Sequence, residues 1–420
     1  MIKVGLIGCG TVGSGVVEYF KKNKHPDIKI EGIVVENKNK KREVDFNDIS
    51  DNINDILNNR DIEIVVEVMG GYKPARTYIL GAIEKKKHVV TANKAVISRY
   101  GKEIFGKAKK NKVNVGFEGA VAGGIPIIRN IKEYYKKDNV SEFIGIINGT
   151  TNFILTKMSK EGLDYEQALK IAQENGFAEA NPSFDVEGTD AKQKLSILVS
   201  LLYHSYVNAE NIYCEGITKI TKQDIDFAKE IGYEIKLLTI AKNRKEGLEL
   251  RVHPALVSSQ HHLSTVSDEN NAIYIKSEFL DEQLIVGKGA GKNPTGFAVA
   301  NDIIDIAKKI EENSFECIDI GGKKKLIPIG DVKAKGYIRI NLKDAPGSLA
   351  KVCNVLAKND INVKNVIQRE KLRSYIDGVL YIPAIITADP IKNKIMFNAL
   401  EKIENIDCVH EKPFYLRIDE

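Results

Sequence analysis

Short runs of β-branched and other apolar residues alternate, over the first part of the chain, with segments whose apolar positions recur every three or four residues. The strand-like runs fall at 3–7, 28–35, 62–68, 88–91 and 113–117, and this rhythm predicts a parallel sheet with helices on both faces. From about 141 to 277 the order changes. Candidate strands at 143–148, 235–241, 250–257 and 272–276 are separated by long helical stretches, which predicts an α+β region with one mixed or antiparallel sheet. Positions 301–311 have helical spacing and are expected to return to the first region. The stretch 312–335 holds Gly321-Gly322, three consecutive lysines and Pro328 with little periodicity, and reads as a linker. Beyond it, elements at 336–342, 348–358, 361–369, 378–388, 392–403 and 407–418 follow a βαββαβ order, the ferredoxin-like split.

At 420 residues the chain exceeds one ordinary core, and a prior of roughly 150 residues per domain agrees with the three regions of the pattern. Apolar residues make up 43% and charged residues 28%, which suits packed cores and not disorder. Lysine and arginine (62) nearly balance aspartate and glutamate (57), so no large uniform field invites a polyanion. The basic runs at 21–24, 38–42, 85–87 and 323–325 lack interleaved aromatic residues, and no nucleic-acid partner is expected. The five cysteines, Cys9, Cys214, Cys317, Cys353 and Cys408, form no CxxC pair, and their odd number fits a reducing compartment. The chain opens on a strand pattern where a signal segment would need a charged region, and apolar stretches such as 195–203 fall short of the ~20 residues needed to span a bilayer. The expectation is a cytoplasmic protein without a membrane partner.

The densest local signal is Gly8-Cys9-Gly10-Thr11-Val12-Gly13, placed after the first strand and before a helical pattern containing Val16, Val17 and Phe20. In that context GxGxxG is a dinucleotide-binding loop of the Rossmann type. Gly8 permits the turn, Gly10 admits the pyrophosphate, Gly13 lets the helix approach, and the N–H groups from Thr11 and Val12 onward face phosphate. About 20 residues on, an acid at the end of the second strand binds the ribose hydroxyls of NAD. Glu36 stands there, but Lys38, Lys40, Lys41 and Arg42 could pair with the additional phosphate of NADP. NAD and NADP both remain open.

Two further groups suit chemistry beside a nicotinamide. Thr91-Ala92-Asn93-Lys94 ends a parallel strand on the ligand-binding edge of the sheet, where Lys94 could face substrate. Downstream, 175–195 is a Gly- and Pro-interrupted stretch leading into a helix from about Thr189, with Leu195, Leu198, Val199 and Leu202 on one face. Asp190 and Lys194 are four apart and share a face, as an active pair or as a helix cap and surface salt bridge.

Taken together, the glycine loop, 91–94, EGAVAGGIP at 118–126, NGTTNF at 148–153, 176–194 and GAGKNPT at 289–295 resemble homoserine dehydrogenases, from the first strand to about residue 310. The resemblance implies reduction of L-aspartate 4-semialdehyde to L-homoserine by NADH or NADPH. In it Lys194 is the proton donor to the developing alkoxide and Lys94 a second lysine near cofactor and substrate. Glu179 and Asp190 take the substrate ammonium, and Asp185 supports them. Thr91, Gly176 and Gly291 join the cofactor contacts. A monovalent cation, sodium, would fall on Glu118, Val121, Gly123 and Ile125, whose oxygen donors suit a hard ion. Some relatives carry arginine where this chain has Glu36. A cysteine-dependent aldehyde dehydrogenase is the rival enzyme, but no cysteine has the setting of a nucleophile. An amino-acid sensor with a structural Rossmann region is the rival class.

Positions 337–350, with Asp344-Ala345-Pro346-Gly347 at the turn, resemble the opening of an ACT domain. This implies an amino-acid effector, threonine or another product of the pathway, or else a dimerisation module. The expected division is 1–135 with about 295–315 for the nucleotide, 136–294 for catalysis and dimerisation, 316–335 as linker and 336–420 as ACT domain. A homodimer or homotetramer is expected.

Overall fold

The computed structural model describes residues 1–42, 44 and 46–419. They form two compact units. The first comprises 1–149, 190–212 and 269–324, and the second 150–189, 213–268 and 325–420.

In the first unit six parallel strands lie in the order Ile49–Ser50, Ile28–Val34, Ile2–Ile7, Ile62–Glu67, His88–Thr91, Val115–Gly116. This is the 3-2-1-4-5-6 order of a doubly wound dinucleotide fold, with the topological switch point between Ile2–Ile7 and Ile62–Glu67. The middle of each of those two strands is apolar because helices cover both faces: Ile64, Val65 and Val66 are fully buried. The helix Lys292–Glu311 returns to this sheet, and its Val299, Ile303 and Ile306 enter one core with Val4, Leu6, Val16 and Val66. It crosses the helix Thr11–Lys22 where Gly15 and Gly296 meet; a Cβ on Gly15 would come within 2.3 Å of the Lys292 carbonyl oxygen. The pattern at 301–311 thus marks only the second half of a longer helix. Pro294 hid its beginning, although proline is tolerated in a first helical turn.

The first unit also holds three antiparallel strands, Val140–Ile146, Asn270–Ser277 and Asp281–Lys288, with Asn270–Ser277 in the middle. Asp281–Lys288 was not anticipated. It begins on two exposed acids, exposes Val286 and Lys288 as well and buries none of its residues, as an edge strand does.

In the second unit Tyr233–Arg244 and Gly247–Ser258 form a long antiparallel hairpin. Gly247–Ser258 pairs in parallel with Phe414–Asp419, and the sheet continues through Lys333–Lys343 and Val379–Lys392 to Val363–Gln368. The last four are the βαββαβ strands, and helices Ser348–Lys358 and Asn393–Glu404 cover them through Val352, Leu356, Met396, Ala399 and Ile403. The strand Lys333–Lys343 is longer than its apolar run because its ends pair as well. Within 312–335 the backbone is tied down: Ile320 accepts from Tyr206 N–H, and Lys325 and Ile327 bracket Leu248. No helix among the described residues is long and apolar enough to cross a membrane.

Candidate active site

The strand Ile2–Ile7 delivers the chain to the switch point and ends at Gly8, whose φ of +99° only glycine adopts readily. A Cβ there would also lie 2.9 Å from the Val68 backbone, and one on Gly13 would lie 2.4 Å from the Gly8 carbonyl oxygen. The loop is therefore closed tightly against both the neighbouring strand and its own helix. That helix has no side-chain N-cap and no acid in its first turn. Its leading N–H groups, from Thr11, Val12 and Gly13, and the positive end of its dipole are offered to an anion. A Cβ on Gly10 would meet nothing within 4 Å, so the approach is open. These features fit the pyrophosphate of a dinucleotide.

Past the second strand Glu36 is exposed. The Arg42 guanidinium donates to the carbonyls of Asn37 and Lys40, both at 2.6 Å, and builds the turn. Lys38 faces Asp51 at 3.5 Å, and Lys40 and Lys41 are exposed.

Three charged side chains meet farther along the same edge. Lys94 opens the helix Lys94–Asn111, which Asn93 caps by accepting from Val96 N–H. Asp190 and Lys194 lie one turn apart on Thr189–Leu202. Asp190 is 3% exposed and its carboxylate is shared: Lys194 Nζ is 2.7 Å away, Lys94 Nζ 3.2 Å, and Asn148 Nδ2 donates at 2.9 Å. Lys194 also donates to the Ile147 carbonyl at 2.8 Å. The pair is thus a buried node joined by a third residue, not a surface salt bridge, and two cations beside one carboxylate leave positive charge in excess. Burial alone would raise the Asp190 carboxyl, but Lys194 and Lys94 overcome it and hold it at about 2.

This has a consequence for acid stability. A carboxyl held below its ordinary 3.8 stabilises the fold fully above that value and ceases to do so as pH falls towards 2. The contribution is about 2 kcal/mol by linkage. Urea unfolding of wild type and Asp190→Asn should therefore differ at about pH 6, and the gap should shrink below pH 3.8 and close only as pH falls through about 2. A gap independent of pH would contradict it.

In the second unit Glu179 is exposed, with its carbonyl accepting from Gln173, and Asp185 lies on the short helix Ser183–Val186. Thr150 Oγ1 bonds the Phe177 carbonyl at 2.6 Å and reaches Asp185 Oδ2 at 3.4 Å, so NGTTNF fastens the acidic segment. Gly176 turns the chain at φ +75° after the helix Tyr165–Glu174. In the first unit Gly291, at φ +121°, caps Lys292–Glu311.

The segment 118–126 is held by Gly123 and Gly124 N–H groups on the carbonyls of Gly289 and Lys288. Both Glu118 carboxylate oxygens accept backbone N–H groups, of Ile128 and Arg129, at 2.9 and 2.8 Å. Burial, with Asp302 nearby, raises this carboxyl to about 7. Glu118 is thus committed as a helix cap, and a cation here would rest on carbonyl oxygens. Among the described residues no three His, Cys, Asp or Glu side chains group around a metal position.

Residues 8–118 match the family described as homoserine dehydrogenase, NAD binding domain, 126–304 match homoserine dehydrogenase, and 336–405 match the ACT domain. A homoserine dehydrogenase of Pseudomonas aeruginosa is 36% identical over 100% of this chain and 99% of its own length. The chain belongs to the homoserine dehydrogenase family. These are NAD(P)-dependent oxidoreductases acting on a CH–OH group. A homoserine dehydrogenase of Bacillus subtilis is 39% identical over 87% of each chain. The crystal structure of one from Thiobacillus denitrificans superposes with a TM-score of 0.92 at 34% identity, covering 100% of this chain and 98% of that one. A hyperthermophilic archaeal homoserine dehydrogenase mutant, in complex with NADPH, is 25% identical with a TM-score of 0.63, covering 73% of this chain and 98% of that one.

Within this homoserine dehydrogenase several contributors escaped the sequence reading. Asn148 opens a motif already noted, yet its bond to Asp190 needs the fold. Thr91, already expected among the cofactor contacts, is fully buried, and its hydroxyl donates to Glu67 at 2.7 Å. Glu67 had one signal, a carboxylate ending the apolar run Ile62–Glu67. Cys9 is buried beside Ser14, and burial pushes its thiol up, away from a nucleophile's range.

Proposed function

We infer that the protein reduces L-aspartate 4-semialdehyde to L-homoserine at the Lys94–Asp190–Lys194 node, with the dinucleotide on the Gly8–Gly13 loop. When bound, the reduced nicotinamide supplies a hydride to the aldehyde carbon. Lys194 gives its proton to the carbonyl oxygen as charge develops there, which completes the alcohol. Lys94 adds positive charge at the same end, and Asp190 holds both lysines in place. Glu179 and Asp190 receive the substrate ammonium, with Asp185 in support. Thr91, Gly176 and Gly291 line the cofactor through their backbone. The observation that carries this reading is the shared, buried Asp190 carboxylate, which orients two ammonium groups from separate elements.

Glu36 favours the free ribose of NAD, while Lys38, Lys40 and Lys41 favour NADP, so both cofactors are expected to work. Sodium would be held by the carbonyls of Glu118, Val121, Gly123 and Ile125, as a structural ion. The nucleotide part is 1–135 with 295–315 and the catalytic and dimerisation part 136–294, joined through 316–335 to the ACT part, 336–420. The ACT part takes a pathway amino acid such as threonine at the Asp344–Gly347 turn, where Gly347 begins the helix Ser348–Lys358 without a side-chain cap. The working form is a homodimer or homotetramer.

The deciding assay follows NADH and NADPH oxidation with aspartate semialdehyde, with and without threonine. Turnover with both cofactors and slower turnover with threonine are expected. No oxidation of either, with cofactor binding intact, rejects the substrate; equal rates with threonine and other pathway amino acids reject the effector.

A further inference from the structure

Glu67 is 0% exposed and forms no ion pair among the described residues. A buried carboxylate without a cation is costly unless hydrogen bonds replace its water. Its oxygens are indeed occupied. Oε1 accepts from the N–H groups of Met69 at 3.0 Å and Gly70 at 3.3 Å and, more distantly, from Asn93 Nδ2 at 3.4 Å. Oε2 accepts from Thr91 Oγ1. Burial pushes this carboxyl up, and those bonds oppose the shift.

The partners belong to different loops. Met69 and Gly70 begin the turn that follows Ile62–Glu67, and its preceding residue, Val68, is the backbone against which Gly8 closes. Thr91 and Asn93 form the loop that presents Lys94; Thr91 Oγ1 accepts from Asn93 N–H at 3.0 Å, and Asn93 caps the lysine's helix. Asn93 Nδ2 reaches back to the Gly71 carbonyl at 2.8 Å. One residue later, Tyr72 OH accepts from Gln193, the neighbour of Lys194, at 3.1 Å. Hydrogen bonds and the backbone between them thus connect Glu67 to the loop of Lys94 and to the helix of Lys194, and the turn they fix begins at the residue against which Gly8 of the phosphate loop packs.

We propose that Glu67 is a positioning residue for the reduction: its carboxylate fixes the turn 68–72 and the loop 91–94 in one register, and so sets where Lys94 stands relative to Lys194 and the nicotinamide. It touches neither substrate nor reacting atoms. A glutamine there keeps the shape but offers Thr91 an N–H where the hydroxyl needs an acceptor. The inference rests on the role assigned to Lys94 above.

The test uses the full-length enzyme with Glu67→Gln, Thr91→Val, the double variant and Lys94→Met. In Glu67→Gln, kcat per cofactor-binding site should fall about tenfold or more, the scale of a misplaced catalytic group. Tm and cofactor Kd should move far less. Thr91→Val should lose kcat likewise, and the double variant should be no worse than the poorer single one, since both break the same link. A kcat per site at the wild-type level in Glu67→Gln, or additive losses, overturns the proposal and reduces Glu67 to a packing role. If Glu67→Gln does not fold, a normal kcat in Thr91→Val overturns it equally. A normal kcat in Lys94→Met would instead reject the site assignment on which it rests.

Discussion

Replacing Lys194 with alanine should cost kcat a factor of about 10²–10⁴, the usual worth of a positioned proton donor, while NADH and NADPH bind as before. The argument is local. Lys194 is held by Asp190 at 2.7 Å and by the Ile147 carbonyl at 2.8 Å, so its ammonium is aimed before any substrate arrives. The dinucleotide loop at Gly8–Gly13 belongs to a different element and keeps its bonds. Asp190 retains Lys94 and Asn148 as partners, so the variant should fold. Steady-state kinetics with a fluorescence titration of the reduced cofactor separates these effects. A mutant that turns over at the wild-type rate removes Lys194 from the reaction; one that loses cofactor affinity as well as rate points to a collapsed site.

Much of this was legible in the chain because it depended on neighbours in sequence. The alternation of apolar runs and helical patterns requires a parallel sheet, and GxGxxG between a strand and a helix has one common use. The four-residue spacing of Asp190 and Lys194 places them on one helix face. Their burial was not legible, because it arises when Lys94 and Asn148 arrive from other elements. Proline and glycine account for the misplaced helix start: Pro294 and Gly296 look like loop residues, yet one is allowed in a first turn and the other is required where two helices cross. Glu67 was invisible for a related reason. A carboxylate at the end of a strand reads as solvated, and only its four donors, two of them (Thr91 and Asn93) beyond its own strand and turn, reveal why it is buried.

Asp224→Ala should destabilise the protein by about 3–5 kcal/mol, the cost of stranding a buried charge whose partner is removed. Asp224 is 0% exposed on the helix Lys222–Glu230, where it completes a capping box with Thr221. Its Oδ1 also receives Tyr337 OH and Arg339 Nε, both at 2.9 Å, from the first strand of the ACT fold. Without the carboxylate the buried Tyr337 phenol loses its acceptor and the part-buried Arg339 guanidinium keeps only the Glu411 carboxylate, at 3.5 Å, and asparagine, which keeps an acceptor oxygen, should cost less. Two further ties run alongside. Phe414–Asp419 adds a parallel strand to Gly247–Ser258, and Asp419 binds Arg251 at 2.6 Å and Lys242 at 3.0 Å. The ACT fold is therefore built into the sheet of its unit, and effector binding at Asp344–Gly347 would act on a strand that Asp224 holds. The milder Asp224→Asn should accordingly keep its turnover without effector and weaken the response to threonine. Urea unfolding of both variants and a threonine titration of the asparagine variant check this; full stability in Asp224→Ala, or an undiminished threonine response in Asp224→Asn, would show that the strand pairing alone carries the connection.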